Sequence, residues 1–153
     1  MLSRKTKYGL KALLVLAEGR PGEPLVIAEL SRQAKAPRKF LEAILLAMKA
    51  RGLVVSRQGK AGGYSLARRP EQITLGEVIR LLEGPLALVP CASLTAYQRC
   101  DDCLEEQSCG LRLVMKDVRD ATAHILDSTT LANVLERIRS HVREDDGLVD
   151  FQI

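Results

Sequence analysis

The sequence predicts a mainly α protein with a small β wing: a winged helix-turn-helix unit followed by a long dimerisation helix. Three features predict it. Two short amphipathic segments are separated by a break at Lys35-Ala36-Pro37. Directly after them the apolar period changes from helical to alternating around a glycine-rich turn, Gln58–Gly63. Further on, one apolar stripe of Leu111, Val114, Met115, Val118, Ala121 and Ile125 marks a helix over Leu111–Leu126.

The first helix spans Met1–Glu18. Ser3 suits an N-cap, Leu10, Leu13, Leu14 and Ala17 recur at helical spacing, and Gly19 ends the run. Arg4, Lys5, Lys7 and Lys11 lie on its polar side. A short helix follows over Val26–Ala34, with Ile27 and Leu30 facing inward. Pro37 opens the next, Pro37–Arg51, because a proline needs no N–H at the first helical turn. Its apolar face is Phe40, Leu41, Ile44, Leu45 and Met48, and Gly52 stops it. Two helices joined by a tight turn form a helix-turn-helix pattern, whose second helix offers its N-terminal turn to base edges in a major groove. That turn carries Arg38, Lys39 and Glu42.

Leu53–Arg57 reads as a strand, Gln58–Gly63 as a turn and Tyr64–Ala67 as the returning strand. The hairpin tip carries Arg57, Gln58, Lys60 and Gly62, with Tyr64 just beyond. Glycines there allow unusual backbone angles and a close approach to phosphate. After Arg68-Arg69-Pro70, a helix runs over Ile73–Leu82 with Thr74 as a cap, and Gly84-Pro85 stops it. The Leu111–Leu126 helix, about 24 Å long at 1.5 Å per residue, carries more apolar surface than a small wing module covers, so it is expected to pair with a second copy. A cap cluster at Asp127–Thr130 precedes a last helix, Leu131–Val142. The expected organisation is a DNA-binding unit at 1–84, a cysteine-rich sensor loop at 85–110, dimerisation helices at 111–143 and an acidic-then-apolar tail at 144–153.

Charge is distributed unevenly. Residues 1–70 hold 15 Lys/Arg against 4 Asp/Glu, a net +11, while residues 71–153 hold 8 against 15, a net −7. A basic first half beside a helix-turn-helix and a hairpin points to double-stranded DNA. With no Trp, two Phe and three Tyr, aromatic stacking platforms for single strands are not expected. No apolar run approaches a membrane span, and no secretory signal follows the basic start. The expected location is the cytoplasm.

All four cysteines fall between Cys91 and Cys109, spaced C-x8-C-x2-C-x5-C. In a reducing compartment such thiols are ligands or redox groups more readily than structural disulfides. Four thiolates close a tetrahedral zinc site or the terminal positions of an iron–sulfur cluster, [2Fe–2S] or [4Fe–4S]. The spacing matches neither a standard zinc finger nor the bacterial ferredoxin run. Asp101, Asp102, Glu105 and Glu106 disfavour a free thiolate nucleophile unless a metal replaces the proton. Cluster, zinc, redox thiols and inert cysteines all remain open on spacing alone. No Ser-His-Asp or paired-carboxylate arrangement appears, and the lone C-x2-C lacks a βαβ setting. A thiol–disulfide or electron-transfer enzyme is therefore only a remote alternative to a non-enzymatic regulator.

Taken together, LSRKTKYGLKALLVLA, IAELSRQAKAPRKFLEAILLAMKARGLV, GKAGGYSLAR, ITLGEVIRLLEG and the cysteine loop before a long helix closely resemble one known family over residues 1 to about 138. It is the bacterial winged-helix transcription regulators that include IscR, NsrR, RirA and CymR, cluster- or redox-sensing repressors. The resemblance implies a homodimer on a palindromic operator, with second helices in major grooves and wings in minor grooves. It places Glu42 where members read a base edge, consistent with a carboxylate accepting from cytosine N4. Gln58 stands where many members carry arginine. It also implies an iron–sulfur cluster, with Cys91, Cys103 and Cys109 at the usual three ligand positions. Where some members have a histidine ligand this chain has Arg112, and where others take an acidic ligand from the partner's first helix it has Lys7 and Tyr8. Cys100 is the obvious fourth thiolate. Zinc, thiol oxidation or a partner protein controlling the same DNA-binding unit is the alternative.

Overall fold

The computed structural model describes residues 2–103 and 105–148. Among the described residues, six α-helices and one two-stranded antiparallel sheet follow in the order α1 (Arg4–Glu18), α2 (Ile27–Ala34), α3 (Arg38–Ala50), β1 (Val54–Arg57), β2 (Gly63–Leu66), α4 (Leu75–Leu82), α5 (Gly110–Ser128) and α6 (Leu131–Leu148). Short 3-10 turns at Pro70–Gln72 and Pro90–Ala92, which periodicity did not anticipate, precede α4 and the cysteine loop.

Local chemistry explains the boundaries. Ser3 caps α1 by accepting from the Thr6 N–H at 3.2 Å, and Thr74 caps α4 by accepting from the Glu77 N–H at 3.2 Å. The α2–α3 turn closes through Lys35, in the left-handed region at φ 50°, and the Ser31 hydroxyl donates to the Ala36 carbonyl at 2.6 Å. Gly52, at φ 66°, ends α3 as expected. The sheet pairs Val54 with Leu66 and Arg57 with Gly63.

The core joins Leu13 of α1, Leu30 of α2, Leu41, Ile44, Leu45 and Met48 of α3, Leu53, Ile73, Val78 of α4 and Leu131 of α6. Leu131 is fully buried, so the start of α6 completes the core of the winged helix rather than standing apart from it. Gly9 lets α1 sit against α3 and α4. A Cβ there would press on Leu82 and on Met48 Cε. Glu83, at the end of α4, accepts from the Ser3 hydroxyl at 2.7 Å and the Thr6 hydroxyl at 2.5 Å, tying α4 to the start of α1.

α5 packs on α4 and on the Pro90–Ala92 turn. Its expected stripe is largely uncovered in the single chain: Leu111 is 64% exposed, Val114 54% and Ile125 60%. α6 continues to Leu148, beyond the expected end at Val142. The acidic run at 144–146 suggested a tail, but nothing in it breaks a helix, and one glycine costs only about 1 kcal/mol. The rest of the expected tail, 149–153, and the expected helix start at Met1 lie outside the described residues.

Candidate functional site

The basic surface is built from α3 and the hairpin. Arg38 and Lys39 project from the first turn of α3 and Glu42 from the start of the second, and all three are exposed. Arg38 Nε donates to Glu42 Oε1 at 3.2 Å across one helical turn. The first turn contains no acidic residue, and Pro37 supplies no side-chain cap. Two cations thus stand at the positive end of a helix dipole, where anions are preferred. The exposed Phe40 ring meets Tyr8 edge-on, with centroids 6.5 Å apart.

The wing is fixed relative to α3. Lys49 Nζ donates to Ser56 Oγ at 2.5 Å. Arg57, Gln58 and Lys60 are exposed at the tip. Gly62 donates its N–H to the Gly59 carbonyl at 2.9 Å, and a Cβ on Gly62 would lie 2.8 Å from that same oxygen, so the turn needs glycine there. Tyr64 is placed differently from the tip residues. Its backbone exchanges hydrogen bonds with Leu25 at 2.8 and 2.9 Å, and its ring packs on the core. It anchors the wing's base.

The cysteines are gathered by backbone contacts that spacing could not reveal. Cys91 is buried in the Pro90–Ala92 turn, Cys100 is exposed, and Cys103 and Cys109 are half-buried. The Gln98 N–H reaches the Pro90 carbonyl at 3.4 Å, folding the loop back on the turn, and the Cys103 N–H reaches the Cys100 carbonyl at 3.2 Å. Cys109 stands at the N-cap position of α5. One turn on, Arg112 Nε donates to the Cys91 carbonyl at 3.0 Å. Arg119, only 9% exposed, donates to the Ala92 carbonyl and pairs with Asp120 Oδ1 at 2.7 Å. The Cys100 thiol is pushed above its usual range by its thiol neighbour Cys91 first, then by desolvation and by Cys103 and Asp102 nearby. The loop thus brings Cys100 and Cys103 back toward the Cys91 turn.

The donor set suits a soft metal or an iron–sulfur cluster, since all four groups are thiols. Among the described residues, no three Cys, His, Asp or Glu side chains already converge as a metal site. Arg112 and Arg119, which sequence reasoning treated as non-ligands or passed over, hold the carbonyls of the Cys91 turn. Their acceptors come from residues far away in sequence, so periodicity gives no sign of them.

A joint links α4 to the end of α5. Arg80 and Asp127 form a two-pronged ion pair at 2.5 and 2.9 Å. The Leu75 N–H reaches the Thr129 carbonyl at 2.9 Å, and the Leu131 N–H reaches the Ile73 carbonyl at 3.0 Å. Among the described residues no helix is long and apolar enough to cross a membrane.

Comparison with known proteins gives a consistent picture. Residues 2–137 match the family described as Rrf2, iron-dependent transcriptional regulator. A protein of Rhodobacter capsulatus named as an rrf2-like helix-turn-helix transcriptional regulator is 43% identical over 138 residues, covering 88% of this chain and 92% of its own. The structure of CymR, the global cysteine regulator of Bacillus subtilis, is similar at TM-score 0.74 and 31% identity, covering 90% of this chain and 97% of that one. The structure of T. potens IscR is similar at TM-score 0.70 and 28% identity, covering 90% and 88%.

Proposed function

This chain belongs to the Rrf2 family of helix-turn-helix transcriptional regulators, and from that premise we propose that it is a cytoplasmic homodimeric repressor controlled by an iron–sulfur cluster. It binds a palindromic duplex operator. Arg38, Lys39 and Glu42 enter the major groove, and Arg57, Gln58, Lys60 and Gly62 approach the backbone or minor groove. The uncovered stripe of α5 pairs with a second copy, setting two reading heads about 34 Å apart.

Cys91, Cys103 and Cys109 hold the cluster with Cys100 as the fourth thiolate, a set that meets the two ligands per iron of a [2Fe–2S] centre. A [4Fe–4S] centre uses the same four groups. When bound, the cluster supplies a centre sensitive to iron–sulfur supply, oxygen or nitric oxide. The observation that carries the reading is the pair of arginine–carbonyl bonds from α5 to the Cys91 turn. Through them a change at the thiols bears directly on the helix that spaces the two heads.

One oxygen-free preparation tests this. Iron and sulfide in near-equal amounts, visible absorption, a dimer in solution and steeply salt-dependent operator binding are expected. Exposure to air or nitric oxide should change the binding. Iron-free, sulfide-free, colourless protein sinks the cluster, and zinc at one per chain replaces it with a structural metal.

The Gln98–Pro90 bond folds Cys100 back toward the Cys91 turn, which supports a second reading of the same regulator. The two thiols join as a disulfide, losing two protons and two electrons to a peroxide that is reduced to water or alcohol. A mass loss of about 2 Da, the two thiol hydrogens, in cluster-free protein treated with peroxide identifies it.

A further inference from the structure

We infer that Arg38 is the guanine-reading residue of each half-site and that Glu42 acts on the operator chiefly as its positioning residue. The inference rests on the operator-binding reading above and names the base chemistry that the first turn of α3 recognises.

Three observations lead to it. The Arg38–Glu42 contact uses Nε of the guanidinium. Among the described residues it is the one polar contact that Arg38 makes, so the terminal Nη1 and Nη2 donors are uncommitted on a 62% exposed side chain. That edge is the flat two-donor fork that matches O6 and N7 of guanine in the major groove. Glu42 Oε1 is occupied by Arg38, so Glu42 offers a neighbouring base only its second oxygen.

The pair is also poor as a stabilising device. Its side chains are 62% and 51% exposed, and ion pairs of this kind contribute little to folding. Arg38 moreover stands at the positive end of the α3 dipole. A residue placed against the local electrostatics, and held there by a partner one turn on, is explained by what it faces rather than by what it stabilises.

Finally, the surroundings fix the aim. Leu41, Ile44, Leu45 and Met48 bury the adjoining face of α3, and Lys49 ties the helix to the wing through Ser56. The arginine fork therefore has a set direction. Engaging Nε biases the long side chain away from a phosphate, which carries no sequence information.

The test is selection from duplexes with randomised half-sites, at one fixed salt concentration, using the full-length protein. Wild type, Arg38→Ala, Glu42→Ala, Glu42→Gln and the double variant Arg38→Ala/Glu42→Ala are compared. Both positions lie on an exposed surface, and unchanged thermal unfolding confirms that the four variants fold. Wild type should select a guanine at one position of each half-site. Arg38→Ala should relax that preference by roughly ten- to a hundred-fold. Glu42→Ala should relax the same guanine, and the double variant should be no more relaxed there than Arg38→Ala alone. Glu42→Gln keeps a carbonyl oxygen for Nε and should retain most of the preference.

A uniform loss of affinity in Arg38→Ala, with every base preference intact, makes Arg38 a phosphate contact and overturns the inference. Relaxation by Glu42→Ala at a different base, with the guanine untouched, overturns the positioning role. A wild-type protein that selects no sequence at all overturns the operator reading itself, and this inference with it.

Discussion

Arg112 Nε donates to the carbonyl oxygen of Cys91 at 3.0 Å, across twenty-one residues of sequence. The bond joins the first turn of α5 to the turn that buries the first cysteine, and the Arg119–Ala92 bond repeats the link two turns on. Arg112→Ala should destabilise the cluster-free protein by about 1–2 kcal/mol, the usual scale for a hydrogen bond from a charged donor. It should also speed iron loss to a chelator, because Cys91 is no longer held. Calorimetry and the decay of visible absorption measure both. An unchanged melting curve with an unchanged decay would show that the contact is incidental.

Cys100 separates the ligand sets. The loop folds it back toward the Cys91 turn, and its carbonyl accepts from the Cys103 N–H. Cys100→Ser should therefore remove most bound iron and sulfide, while dimerisation and the folded core stay intact, since the residue is exposed. A variant that keeps its full cluster complement would place the fourth ligand elsewhere in the dimer. In cluster-free protein the same variant should no longer form the peroxide-induced disulfide.

These two residues show where the sequence was informative and where it stopped. The caps at Ser3 and Thr74, the Gly52 stop and the wing were legible because each is a local rule linking a residue to neighbours within a few positions. The gathering of Cys91 with Cys100 was not. It depends on a 3-10 turn and on a backbone bond from Gln98 to Pro90, and neither leaves a periodic signal. Arg119 was hidden for a related reason. It is one of several charged residues on an amphipathic helix and is buried because a distant turn offers its carbonyl. Leu131 read as part of the last helix, yet its side chain completes the core around α1 and α4. An apolar residue in a helical pattern does not reveal which module it serves.

Glu83 gives a pH dependence. Hydrogen bonds from the Thr6 hydroxyl, the Ser3 hydroxyl and the Ser3 N–H hold its carboxyl down to about 2. An unfolded glutamate titrates near 4.3, so the folded state binds its proton less readily than the unfolded state. The stabilisation is fully present above about pH 4.3 and is lost as pH falls toward about 2. Glu83→Ala should therefore melt below wild type at neutral pH, and the gap should close across that acid window. A gap that stays constant from pH 7 to about 2 would mean that the carboxylate charge plays no part.

Gly76 tests the joint between α4 and α5. A Cβ added there would collide with Asp127 Oδ1 and lie 2.8 Å from Arg80 Nη1, so it cannot coexist with the two-pronged pair. The pair is partly exposed and by itself contributes about 1 kcal/mol or less. Both groups are the ends of partly exposed side chains that can move aside, so Gly76→Ala should cost the value of the pair, about 1 kcal/mol or less. The same change should weaken the response of operator binding to the state of the thiols, because α5 would no longer be held to α4 through Arg80. Asp127→Ala removes the obstructing carboxylate, so Gly76→Ala should cost much less in that background. The double-mutant cycle read by thermal unfolding measures this coupling. Equal costs in both backgrounds would show that Asp127 is not what the glycine accommodates, and that the joint is held by the Thr129 and Ile73 backbone bonds alone.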